Sequence, residues 1–233
     1  MKLDVLAFGA HPDDIELGCG GTLIKHIEQN YKVGIIDFTK GDLGTRGTAE
    51  IRLKEADIAG KAMGLSIREN LKFKDGFFQN DDFHKRELIK KIRLYRPEIV
   101  LTNAPSDRHP DHGRASQITI DACFLSGLEK IDTSQQVWRP KAIYHYIQFN
   151  NLKPDFVVDI SQYFDRKIDV IKKYKSQFYD PNSKETDTVI SSKEFFDSIE
   201  YRAKDLGRQT FCEYAEGFVS HQLPKINFLN DLK

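Results

Sequence analysis

The chain has 233 residues, of which 39% are hydrophobic and 30% charged, a balance that suits one globular domain over 1–233 and excludes a disordered chain. Lys plus Arg and Asp plus Glu both number 35, so the formal net charge is zero, which argues against a surface built for nucleic acid or an anionic membrane. No apolar run approaches the ~20 residues of a membrane span, the N-terminus lacks a leader pattern, and three scattered cysteines suggest no disulfide framework, so a cytoplasmic protein is expected.

Residues 3–8 form a short apolar run of the kind that reads as a buried parallel strand. A polar turn follows, with Gly9, Pro12, Gly18, Gly20 and Gly21 as breakers and His11, Asp13, Asp14 and Glu16 between them. Leu23, Ile24 and Ile27 then recur at helical spacing, which predicts a helix over about 20–30. A second apolar strand spans 33–38, and a glycine-rich loop ends at Thr48, a cap for a helix whose inward stripe is Leu53, Ala56, Ala59 and Met63. A short strand at 71–73 precedes a third helix, marked by Leu88, Ile89, Ile92 and Tyr95 and stopped by Pro97. The next strand, 99–102, runs into a second polar turn, Asn103-Ala-Pro-Ser-Asp-Arg-His-Pro-Asp-His-Gly113, and a helix over about 114–125. Strands at 142–147 and 156–159 and helices near 161–174 and 192–206 complete the pattern, with 178–192 expected to be a mobile surface loop.

Strands alternating with amphipathic helices predict an α/β fold: a Rossmann-like, doubly wound, mostly parallel sheet with helices on both faces. In such sheets ligands bind beyond the carboxyl ends of the strands, at the point where strand order reverses, here between the first and fourth strands. Those two strands end in the histidine- and aspartate-rich turns. Segments about a hundred residues apart in sequence are therefore expected to meet in one cleft.

The meeting groups would be His11, Asp13 and Asp14 from one turn and His109, Asp111 and His112 from the other. Two imidazoles and a carboxylate, leaving one position for water, are a usual ligand set for a catalytic zinc. Adjacent Asp13 and Asp14 can point apart, one toward a metal and the other toward its water. Either tripeptide alone would be ordinary turn punctuation; their convergence on one crevice is what points to chemistry.

Ala10-His-Pro-Asp-Asp14 with downstream His109-Pro-Asp-His112 resembles the zinc-dependent deacetylases named for PIG-L and LmbE, which remove acetyl groups from N-acetylglucosamine-type sugars. Ser176-Gln-Phe178 and Tyr214-Ala-Glu-Gly-Phe218 extend the likeness to one branch, the bacillithiol-pathway enzymes acting on N-acetyl-alpha-D-glucosaminyl L-malate. By position, the resemblance implies His11, Asp14 and His112 as metal ligands and Asp13 as general base. His109, if protonated, would donate to the tetrahedral oxyanion, with Asp111 stabilising its charge and orientation; the alternatives are a ligand's partner or a plain turn histidine, and for Asp111 a turn cap. Zn2+ is the implied metal, although Fe2+, Mn2+ and Co2+ also suit such donors.

Malate adds carboxylates to the sugar, which an arginine fork suits, and Arg46, Arg52 and Arg108 lie near the expected cleft; a solvated surface arginine is the plain alternative for each. The glycines do not form a dinucleotide loop, and Cys19 reads as a small packed residue. An active-site tyrosine used by some relatives has no clear counterpart, since Phe195 and Phe196 occupy its stretch, and Tyr144, Tyr179 and Tyr201 stay open. The resemblance further implies a homo-oligomer, such as a hexamer. Other N-acetylglucosamine derivatives, a chitooligosaccharide, or a Rossmann-like binding module with a structural metal are the competing readings.

Overall fold

Strand β1 (Val5–Gly9) is buried on both faces, which is why its sequence is a continuous apolar run rather than an alternating one. The structure, a computed structural model, describes residues 1–232. After β1 come α1 (Asp14–Glu28), β2 (Val33–Thr39), α2 (Ala49–Met63), β3 (Ile67–Phe73), α3 (Asp82–Tyr95) and β4 (Ile99–Asn103). The second half adds α4 (Pro110–Leu125), β5 (Ala142–Tyr146), β6 (Phe156–Asp159), α5 (Phe164–Ile171), α6 (Lys193–Thr210) and β7 (Ala215–Ser220).

The strands form one sheet of seven in the order β3-β2-β1-β4-β5-β7-β6. The first five are parallel, with Val5 opposite both Val33 and Ile99. Strand order thus reverses between β1 and β4, as the sequence implies. Period-two alternation sorts the side chains: Val5, Ala7, Val33 and Ile35 pack with Leu23 of α1, Met63 of α2 and Ile171 of α5. Leu6, Phe8, Ile36 and Phe38 face the other way, onto Leu88 and Ile92 of α3 and Ile118 and Ala122 of α4. The inward stripe expected on α3 makes these contacts, and so do Ala56, Ala59 and Met63 of that on α2, whereas Leu53 is only half-buried and lies outside both clusters.

Three differences matter. Strand β7, which the sequence reading omits, pairs antiparallel with both β5 and β6, and its interior holds Glu216 and Gly217, so no apolar run announces it. Helix α1 begins at Asp14 and breaks at Cys19 (φ −146°, ψ 22°), so the expected helix is only its second half. The 178–192 segment is not a plain surface loop: Phe178 and Ser191 are buried, and Asp187 to Ile190 fold over the cavity described below. No helix among the described residues is long and apolar enough to cross a membrane.

Candidate active site

The turns after β1 and β4 lie side by side, tied by the Ala10 N–H donating to the Asn103 side-chain carbonyl at 3.0 Å. Asp13 caps α1 from the left-handed region (φ 104°), a conformation that aspartate tolerates better than most residues. The adjacent carboxylates part company there. Asp14 turns toward the histidines and Asp13 toward Arg52.

Asp14 Oδ2 lies 3.5 Å from His11 Nδ1, and its Oδ1 lies 3.2 Å from His112 Nε2. Bonds of about 2.0–2.1 Å to a tetrahedral ion would space neighbouring ligand atoms roughly 3.3–3.4 Å apart, so each Asp14–histidine pair stands near ligand spacing, through a different oxygen of the carboxylate. Each imidazole is held from behind by carboxylates. His112 Nδ1 meets Asp107 at 2.9 Å, while His11 Nε2 faces Asp75 at 3.1 Å and Asp111 at 3.3 Å. That pattern fixes the tautomer of a ligating histidine and raises its basicity. Asn103 (3.1 Å) and Gln148 (2.8 Å) donate to Asp14, leaving the buried Gln148 Oε1 without a partner beside the site.

Two triads bring one ligand atom from each residue within 4.8 Å of one another, His11, His109 and His112, and His11, Asp75 and Asp111; the set of His11, Asp14 and His112 is not among them, Asp14 meeting the two imidazoles through different oxygens. Asp75 and Asp111 already accept N–H bonds from Leu43 and Gly76 and sit behind His11. His109 is partly exposed, and its Nδ1 caps α4 by accepting the Asp111 N–H at 3.2 Å.

The electrostatics favour a cation at the same place. Burial opposes charge on His11, yet the carboxylates of Asp111, Asp14 and Asp75 outweigh it and raise its pKa well above the ordinary value. Burial also opposes charge on His112, but Asp14 and Asp107 raise it to about 9. Asp14 is held well below the carboxylate range despite burial, by His112 and His11. Asp13 behaves oppositely: burial pushes it up to about 7 against the pull of Arg52. Two carboxylates one residue apart are thereby set to different tasks.

His109 departs from the expected cationic donor. Burial, with His11 and His112 adding, brings its pKa down to about 4, so it stands neutral with its proton on Nε2, because Nδ1 is the cap acceptor. Asp111 directs its carboxylate to His11, to Gly76 N–H and to Arg114 rather than to the His109 ring; only its backbone touches His109.

These groups line a cavity of about 540 Å³, within the usual range for small-molecule sites. Of the nine residues nominated from sequence, all but Asp111 line it. Arg52 lines the cavity, its guanidinium donating to Pro12 O (2.8 Å), Gly41 O (3.0 Å) and Asp13 (3.2 Å) while its buried Nε has no partner. Arg46 is buried and bound to Ser183 and Glu185 of the covering segment. Arg108 lies exposed at the rim over the Phe149 ring, 5.0 Å from its centroid. Tyr144, Tyr179 and Tyr201 do not line the cavity.

Asp75, Asp107, Asn103 and Gln148 are site residues that sequence reasoning did not nominate. All sit at or just past the carboxyl ends of β3, β4 and β5, where the strand-end rule would have looked. Glu16 lies beneath the site, bonded to Tyr174 at 2.7 Å and to Arg68.

A family model described as PIG-L, GlcNAc-PI de-N-acetylase, matches residues 6–123. The chain is 30% identical over 186 residues to the diacetylchitobiose deacetylase of Thermococcus kodakarensis, covering 75% of this chain and 70% of that protein. It is 29% identical over 190 residues to a probable N-acetyl-alpha-D-glucosaminyl L-malate deacetylase 2 of Bacillus cereus, covering 76% of this chain and 84% of that protein. The crystal structure of the conserved protein TT1542 from Thermus thermophilus aligns with a TM-score of 0.88 at 32% identity, over 97% of this chain and 98% of that one.

Proposed function

The chain belongs to the PIG-L family, and from that premise we propose that it is a metal-dependent deacetylase whose substrate is N-acetyl-alpha-D-glucosaminyl L-malate. The observation that carries the reading is the ligand set itself. Asp14 presents one oxygen to His11 and the other to His112 near ligand spacing, each imidazole is backed by a carboxylate, and a separate acid, Asp13, opens on the same cavity.

His11, Asp14 and His112 would hold the ion, taken as Zn2+, and when bound it supplies the positive charge that acidifies water and polarises the acetamide carbonyl. Asp13, buried and poised at about 7, accepts the proton as water attacks the acetamide carbon. Arg52 keeps that carboxylate in place from behind. Neutral His109 offers its Nε2–H to the developing oxyanion, a contribution often worth ~3 kcal/mol per donor. Asp13 then returns that proton to the amide nitrogen as the C–N bond breaks, leaving acetate and the free amine of the sugar.

Arg108 supports the malate branch of the reading. It is exposed at the cavity mouth, and among the described residues no carboxylate pairs with it, so its fork is open to a carboxylate on the substrate. A single domain, a cytoplasmic setting and a homo-oligomer, as expected from the sequence, complete the proposal.

The test is acetate release by metal-loaded protein from the malylated sugar, N-acetylglucosamine and diacetylchitobiose. Preference for the malylated sugar, reduced in Arg108→Ala mainly through KM, is the expected result. Equal turnover of all three would remove the malate assignment and keep the deacetylase. No acetate from any of them would remove the hydrolase reading.

A further inference from the structure

The break in α1 is held by an ion pair inserted into the helix. In an unbroken helix the Leu17 carbonyl would accept the Gly21 N–H, four residues on. Here the Leu17 carbonyl accepts Lys167 Nζ at 2.8 Å, and the Gly21 N–H donates to Glu216 Oε1 at 2.9 Å. Lys167 and Glu216 then meet at 2.7 Å. Glu216 Oε2 takes the next freed donor, Thr22 N–H, at 2.7 Å. Both side chains are more than nine-tenths buried.

This choice of residues has a chemical reason. The carbonyl end of the break needs a pure donor and the N–H end a pure acceptor; ammonium and carboxylate are such groups, and each neutralises the other. Isolated in so buried a place, either charge would be costly. Lys167 comes from α5 and Glu216 from β7, so the C-terminal third of the chain reaches back to the turn after the first strand.

We infer that the Lys167–Glu216 pair is a positioning device for the site: by holding α1 open at Cys19, it sets the direction of the short segment from Asp14 to Gly18 and aims Asp14 between His11 and His112. The two halves of α1 have different duties. Both halves pack into the core, Ile15 and Leu17 from the first and Leu23 and Ile24 from the second, but only the first also carries Asp14 and places Leu17 on the cavity wall. A continuous helix would couple the two directions rigidly; the break lets core packing and ligand aim be satisfied separately. Gly18 is part of the same joint, since a Cβ there would come within 2.2 Å of the Tyr146 ring. The inference rests on reading His11, Asp14 and His112 as metal ligands.

The experiment is Co2+ binding by the full-length protein, read by affinity and by the visible absorption that reports ligand geometry, with thermal melts and acetate release alongside. Lys167→Met with Glu216→Leu removes both charges together, so neither is left unpaired, and withdraws the partners of the Leu17 carbonyl and the Gly21 and Thr22 N–H groups. Glu216→Asp keeps both charges but shortens the reach. A positioning role predicts folded proteins with about 10-fold weaker Co2+ binding and an altered spectrum. If the double variant fails to fold, Glu216→Asp alone decides by the same criteria. Wild-type affinity and spectrum in a folded variant would make the pair a stability element only and overturn the inference. A wild type that binds no Co2+ would overturn the metal reading as well, so the two failures are distinguishable.

Discussion

Replacing Arg52 by Met separates two roles that the sequence cannot tell apart, holding a substrate carboxylate and holding Asp13. Arg52 Nη2 lies 3.2 Å from Asp13 Oδ2 in a buried setting. Unit charges at that spacing interact by roughly 5 kcal/mol at an effective dielectric of about 20, a ceiling before water and neighbouring groups adjust. After adjustment, an adjacent arginine lowers a carboxyl pKa by about 1–3 units. Asp13 stands at about 7 with Arg52 present, so the variant moves it further up. Because the reaction needs the unprotonated base, the acidic limb of kcat/KM shifts toward alkaline pH by the same amount. A shift of about two units would cost roughly 50-fold in the active fraction at neutral pH, recoverable at high pH. The assay is kcat/KM against pH for the malylated and the plain sugar, with Arg52→Lys as the charge-keeping control. The reasoning is refuted if the limb stays put and KM rises for the malylated sugar alone.

The remaining predictions follow from single contacts. In the folded protein Asp13 keeps its proton up to about pH 7, against 3.8 ordinarily, so the folded state binds the extra proton and stability falls as pH rises through that window. Asp13→Asn should therefore stabilise metal-free protein at pH 8, by no more than ~4 kcal/mol, with the gain vanishing near pH 4; a gain that is flat with pH in denaturant titrations would contradict this. Asp107→Asn takes the anionic partner from His112 Nδ1 and should weaken metal binding about 10–100-fold in chelator competition, and unchanged affinity would count against His112 as a ligand. Gly18→Ala, whose Cβ would meet Tyr146 at 2.2 Å, should destabilise by about 1–3 kcal/mol. Gly20→Ala, with no atom nearer than 3.6 Å, should be neutral or gain up to about 1 kcal/mol, and equal melts for the pair would show the packing account to be wrong.

Much of the frame is legible in the chain because it depends on signals carried within single elements. The apolar runs of β1, β2 and β4 report strands buried on both faces, and Ala56, Ala59 and Met63 or Leu88, Ile89 and Ile92 report which side of a helix meets the sheet. Alternation of those elements fixes the parallel sheet and its reversal beside β1. From the reversal it follows that the His11 and His112 turns converge, since a strand's carboxyl end is set by chain direction alone.

What the sequence does not decide is the pairing of charged groups, because a carboxylate or guanidinium chooses partners by distance in space and periodicity carries none of that. Asp111, two residues from His109, serves His11 instead, since α4 starts at Pro110 and its first turn points the side chain away from the cap. Arg52 is one of three arginines near the cleft in sequence, and only the packing of α2 beside the first turn brings its guanidinium to Asp13. Strand β7 stays hidden because its second residue, Glu216, bonds the N–H groups of a broken helix rather than filling a core, and those partners are met only once α1, α5 and β7 have come together. Sequence by itself determined the fold class and the two turns that carry the chemistry. Tertiary structure supplied the physical reason that Asp14 turns to the histidines and Asp13 to the arginine, because those orientations depend on desolvation and on contacts that bring together segments up to 195 residues apart.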